Sequence, residues 1–218
     1  MITSPDRGAL SGALAGVSFV GGVAGATALA DTPYPRPGAD PAQVQRYFTD
    51  NTGPARLSVV GQAVSAVALA RFTASVARLA GRSPSGARAL RTAAVAGGGL
   101  AAASLATTAA CAAALTAAPG RRPASAAALA RRSFLAGGPV HSVGFGVLVG
   151  ALGLAGLRTG ELPRPLAVAG LASAAASLAS PLYFLAEPAG WLIPLGRFSG
   201  LLVSGIAGAR LAGAGTRG

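Results

Sequence analysis

Leu57–Arg82 reads LSVVGQAVSAVALARFTASVARLAGR, an apolar run followed by three arginines, Arg71, Arg78 and Arg82. Two readings compete for it. A nucleic-acid-binding helix would gather its arginines on one face, interleaved with polar and aromatic residues that contact phosphate and stack on bases. The end of a membrane-spanning helix would bury the apolar run in hydrocarbon and leave the arginines at the headgroups. The rest of the chain decides for the second. Only 11% of the 218 residues are charged and 52% are hydrophobic, whereas about a quarter are charged in an ordinary soluble domain. The formal charge of +12 comes from eighteen arginines against six acids, with no lysine. Those arginines stand in islands between long charge-free runs, and the aromatics number eleven, so no nucleic-acid partner is expected.

A spanning helix needs about 20 mostly apolar residues to cross ~30 Å of hydrocarbon. Charge-free runs of that length occur at Gly8–Ala30, Ala93–Ala118, Ser133–Leu157 and Pro165–Ala186. Leu57–Ala77, with Arg71 inside it, and Gly190–Leu211, with Arg197 inside it, also qualify. The predicted fold is therefore all-α: one transmembrane domain over residues 1–218, a bundle of six spans with one or two short interfacial helices. Six spans place both termini on one side. Loop arginines number nine on the terminal side and seven on the other, which also holds Asp31, Asp40, Asp50 and Glu187. Basic loops stay cytoplasmic, so a cell-membrane protein with both termini cytoplasmic is expected. Ala28-Leu29-Ala30 ahead of Asp31 has the form of a signal-peptidase site. The apolar run before it is longer than the ~7–15 residues of a signal core, which favours a retained first span. Cleavage there would leave five spans and an outward N-terminus.

Between spans one and two, Asp40-Pro41 has the N-cap and N1 pattern that starts a helix. From Pro41 to Asp50 such a helix places Val44, Tyr47 and Phe48 on one face, read as lying on the membrane surface, with a lid over a ligand cavity as the alternative. Pro123 opens a second short helix, flanked by the pairs Arg121-Arg122 and Arg131-Arg132, which suit anionic headgroups. RSPSGARALR, between spans two and three, reads as a short basic loop.

YFTDN at Tyr47–Asn51 leading into span two, and LRTGELPR at Leu157–Arg164 between spans four and five, resemble the corresponding segments of a group of six-helix actinobacterial integral membrane proteins of unknown function. The likeness covers most of the chain and implies topology alone. An Ala- and Gly-rich, lysine-free composition, the mark of a GC-rich coding sequence, accompanies it.

Ionisable groups at membrane depth are the first place to look for function. Arg71 lies seven residues before Arg78, about 10 Å along a helix, and its long stem can carry the guanidinium to the headgroups. Arg197 sits in WLIPLGRFSGLLVSG near Pro194, a helix-breaking residue, with Glu187 the nearest acid in sequence and a structural Arg197–Glu187 ion pair its plainest role. His141 follows GGP at the start of span four; a single histidine cannot form a bis-imidazole haem site, and a packing hydrogen bond is its plainest role. The candidate polar residues at membrane depth are thus Arg71, His141, Glu187 and Arg197. No carboxylate pair lies in a span, and no catalytic triad order, HExxH or phosphate-loop motif occurs, so the chain reads as a non-enzyme without cofactor or metal. Cys111 reads as a small apolar filler. Gly8-x3-Gly12-x3-Gly16, Gly146-x3-Gly150 and Gly196-x3-Gly200 predict close helix packing within the chain first, and homo-oligomerisation second. An accessory or structural component of a membrane assembly, with a membrane protein partner, is the leading functional expectation. The alternative is a small transporter or channel for a polar or anionic solute.

Overall fold

The computed structural model describes residues 6–118 and 122–213. Among them there is no strand. Arg121 and Arg217, which enter the charge bias, lie outside the described residues. The main helices are α1 (Ser11–Leu29), α2 (Pro41–Asp50), α3 (Thr52–Gly81), α4 (Ala87–Ala117), α5 (Pro123–Leu135), α6 (His141–Thr159), α7 (Arg164–Ala179) and α8 (Leu192–Gly213). Short 3₁₀ turns extend α1 at its start, α7 at its end and α8 at its start. The result is six helices long and apolar enough to cross a membrane, Arg7–Leu29, Thr52–Gly81, Ala87–Ala117, Pro123–Thr159, Arg164–Phe184 and Glu187–Gly213. The chain is a multi-pass membrane protein of the all-α class.

The spans form a ring in chain order. α1 packs on α3, α3 on α4, α4 on α6, α6 on α7 and α7 on α8, and α8 returns to α1. α6 also touches α3 and α8, and its helix is the most enclosed, with 67% of its apolar window buried against 28% for the first span. Lipid is as apolar as leucine, so association inside it depends on close packing rather than on the hydrophobic effect. Glycine supplies that packing. A Cβ on Gly61 of α3 would stand 2.6 Å from the Ser18 carbonyl and 2.7 Å from Gly22 Cα of α1. Gly97 of α4 and Gly144 of α6 abut in the same way, each Cβ position 2.8 Å from the other's carbonyl oxygen. The Gly196 and Gly200 pair predicted for span six faces Ser177 and Phe145 of the same chain.

Hydrogen bonds link the same neighbours. Ser65 donates to the Ala15 carbonyl at 2.9 Å, tying α3 to α1, and Ser173 donates to Ser199 at 2.8 Å, tying α7 to α8. At the end of the bundle where α3 stops, Arg78 pairs with Asp6 at 2.8 Å and Arg82 with Glu161 at 2.9 Å. Partial burial pushes the Asp6 carboxyl up, but the hydrogen bonds and charge of Arg78 outweigh it and hold the group below its ordinary value. Gly160, at φ +70°, ends α6 in the left-handed conformation that glycine adopts without penalty.

Several sequence expectations change. α4 begins at Ala87, so Arg88 and Arg91 belong to a helix and the loop before it shrinks to a few residues. The second short helix is not separate: α5 runs through a π-turn, Ala136–Val140, into α6, making one helix from Pro123 to Thr159. Pro139 explains the turn. It lacks the N–H for the regular ladder and its ring crowds the carbonyl four residues back, so the backbone widens instead of breaking. Pro194 breaks nothing, because it occupies the first turn of α8.

Candidate functional site

The four residues singled out from the sequence part company in space. Arg71 lies on an exposed face of α3, about 15 Å from that helix's end at Gly81, and points away from the bundle interior. Glu187 is exposed at the 3₁₀ turn before α8. The expected Arg197–Glu187 ion pair does not form; the ion pairs among the described residues are Arg78–Asp6 and Arg82–Glu161.

His141 and Arg197 do converge, around the π-turn. The His141 amide donates to the Ala136 and Gly138 carbonyls. The carbonyl of Gly137, its regular partner in an α-helix, accepts instead from Arg197 Nη2. The helix irregularity and the membrane-depth cation therefore satisfy each other. The Arg197 guanidinium also lies over the Phe19 ring of α1, 5.0 Å from its centroid, a contact that strengthens when water is excluded. Its Nε is buried without a partner. His141 is 2% exposed, with Nδ1 3.0 Å from the Ala101 carbonyl of α4 and its ring stacked on Phe145 at 5.5 Å and 16°. Both side chains are thus held by a backbone carbonyl and an aromatic ring. They pin α4, α6, α8 and α1 together at the most enclosed helix.

A second feature lies at the end of the bundle opposite Asp6. There the segment from Tyr34 to Ala39, the helix α2, the helix α5 and the turn after α7 enclose a cavity of about 850 Å³. Its walls carry Tyr34, Phe48, Phe134, Tyr183 and Phe184, with Arg36 and Arg131 as the charged lining residues. The rings are in contact: Tyr34 meets Tyr47 edge-on at 5.1 Å, and Phe134 meets Tyr183 at 5.9 Å. α2 does not lie free on the membrane surface. Val44, Tyr47 and Phe48 are buried against Ala55, Leu115 and Ala126, because α5 rises beside α2 and covers that face. Val44 and Phe48 also face the cavity.

Asn51 anchors the end of α2. It is 1% exposed; its carbonyl oxygen accepts from the Asp31 amide at 2.8 Å, and its amide group donates to Thr32 at 3.0 Å and to the Tyr47 carbonyl at 3.1 Å. Sequence reasoning offers a cavity under this helix only as an alternative and assigns Asn51 no role. Two signals could have found them. Asn51 is the sole asparagine of the chain, and seven of its eleven aromatics (Tyr34, Tyr47, Phe48, Phe134, Tyr183, Phe184 and Trp191) belong to the segments at this one end.

Among the described residues no group of three or more His, Cys, Asp or Glu could hold a metal ion. Comparison of the chain with protein-family models, with curated proteins and with solved structures yields no match.

Proposed function

We propose that this multi-pass membrane protein is a non-catalytic accessory or structural component of a membrane assembly, seated in the cell membrane with both termini cytoplasmic. One observation carries the reading. The two ionisable side chains that meet at the π-turn, His141 and Arg197, are each engaged by a backbone carbonyl and an aromatic ring, and neither lines the 850 Å³ cavity. A polar path would need such groups to face water. Used this way they join four helices instead, as interhelical hydrogen bonds do in lipid.

A second reading, a small transporter or channel for a polar or anionic solute, has one observation in its favour. The buried Nε of Arg197 has no partner and sits beside a π-turn, and such turns inside helices are frequent at functional sites. The test is extraction of the native membrane in mild detergent, purification of the chain and mass spectrometry of what accompanies it. A stoichiometric protein partner is the expected result. A chain that purifies alone, and whose solute flux in vesicles is abolished by Arg197→Leu with folding intact, would establish the transport reading in its place.

A further inference from the structure

The cavity between α2, α5 and the turn after α7 has features that the accessory reading does not use. We infer that it holds one anionic phospholipid drawn from the surrounding bilayer, with the phosphate at Arg36 and Arg131 and an acyl chain along Phe134, Tyr183 and Phe184. The inference stands independently of whether the chain has a protein partner.

Shape and charge both favour that occupant. A volume of about 850 Å³ falls in the range of small-molecule sites, roughly 300–1,000 Å³. The charged lining residues are both arginines, and no carboxylate lines the cavity. Neither arginine forms either of the ion pairs among the described residues, so both guanidinium groups are open to an incoming anion. A guanidinium offers a planar fork of N–H donors that matches two phosphate oxygens, and near a membrane it also gains from negative headgroups. The rest of the wall is aromatic and aliphatic. It would leave the backbone groups of a bound peptide unpaired, but it suits an acyl chain, which has none.

Depth agrees with chemistry. Phe184 is 60% exposed, Leu185 84% and Trp191 79%, all in the turns between α7 and α8. Exposed aromatic rings of this kind settle at the boundary between headgroups and hydrocarbon. Tyr183, next to Phe184, packs against Gly190 and lines the cavity, so the cavity opens at the level where a phosphate meets its acyl chains.

The test uses the full chain in mild detergent, with native mass spectrometry after addition of phosphatidylglycerol, phosphatidylcholine of the same acyl chains, or glycerol phosphate. The wild type is expected to retain one phosphatidylglycerol in preference to the other two. Arg36→Gln and Arg131→Gln should each lower that retention about fivefold, and the double variant about thirtyfold. Arg36→Lys with Arg131→Lys, which keeps the charge but loses the planar fork, should retain more than the double Gln variant and less than the wild type. Both arginines are exposed, so the thermal midpoint should stay unchanged; if the double variant aggregates, the two single variants make the comparison. Equal retention by the Gln variants, equal retention of phosphatidylcholine, or glycerol phosphate binding as tightly as the whole lipid would each overturn the inference. So would a peptide found in the cavity.

Discussion

Asn51 shows how much one side chain can carry in a chain of small apolar residues. Its amide closes three hydrogen bonds around the junction of α2 and α3 and holds the segment at Asp31 and Thr32 against the bundle. Asn51→Ala would remove these side-chain hydrogen bonds, each worth about 0.5–1.5 kcal/mol net. The expected outcome is a lower thermal midpoint together with faster tryptic cleavage after Arg46, read by peptide mass; an unchanged cleavage rate would mean that α2 is held by its apolar face alone. His141 and Arg197 were legible as membrane-depth polar residues, because ionisable groups stand out in apolar runs. Their partners were not legible. A backbone carbonyl at Gly137 or Ala101 has no signature in sequence, and the π-turn that frees the first arises from Pro139 meeting a helix that tertiary packing keeps continuous. Charge alone suggested Glu187 as the partner of Arg197, and chain geometry sends the guanidinium to a carbonyl and a ring instead.

At the scale of elements, apolar length located all six spans, and it misjudged their ends. Arginine and proline look like boundaries when read along the chain. Yet Arg88 and Arg91 continue α4, and Pro123 opens a helix that runs to Thr159, since a helix can leave the hydrocarbon without stopping. Glycine was easier to read, because small residues in lipid either make a close crossing or face the lipid. The two cases separate cleanly on α1 and α3. A side chain at Gly61 meets the backbone of Ser18 and Gly22, whereas one at Gly21 meets nothing within 4 Å. Gly61→Leu should therefore force α1 from α3 and lower stability by ~1–3 kcal/mol or more, the cost of overpacking. Gly21→Leu should be close to neutral. Thermal unfolding of both variants in one detergent checks the pair, and equal losses would mean that α1 does not cross α3 at Gly22.

For the whole molecule, the ring of spans closed between α1 and α8 divides the chain's chemistry between two ends. One end has the ion pairs Arg78–Asp6 and Arg82–Glu161 and the basic starts of α4 and α7; the other has the aromatic cavity, Asn51 and Trp191. α1 closes that ring by contributing Phe19 to Arg197 and Gly22 to the α3 crossing. The proposed cytoplasmic side is the one richer in arginine near the span ends. Arginines close to span ends resist translocation, and among the described residues those at the Asp6 end outnumber those at the other. A direct measurement checks the orientation. Asp40 and Ser85 are exposed on opposite ends of the bundle, and Cys111, the chain's single cysteine, is buried. In a Cys111→Ala background, Asp40→Cys should react with a membrane-impermeant maleimide in intact cells. Ser85→Cys should react only after the membrane is opened. The reverse pattern would place the termini and the ion-paired end outside, and the aromatic cavity would then open to the cytoplasmic leaflet, where anionic lipid is attracted by arginine just as strongly.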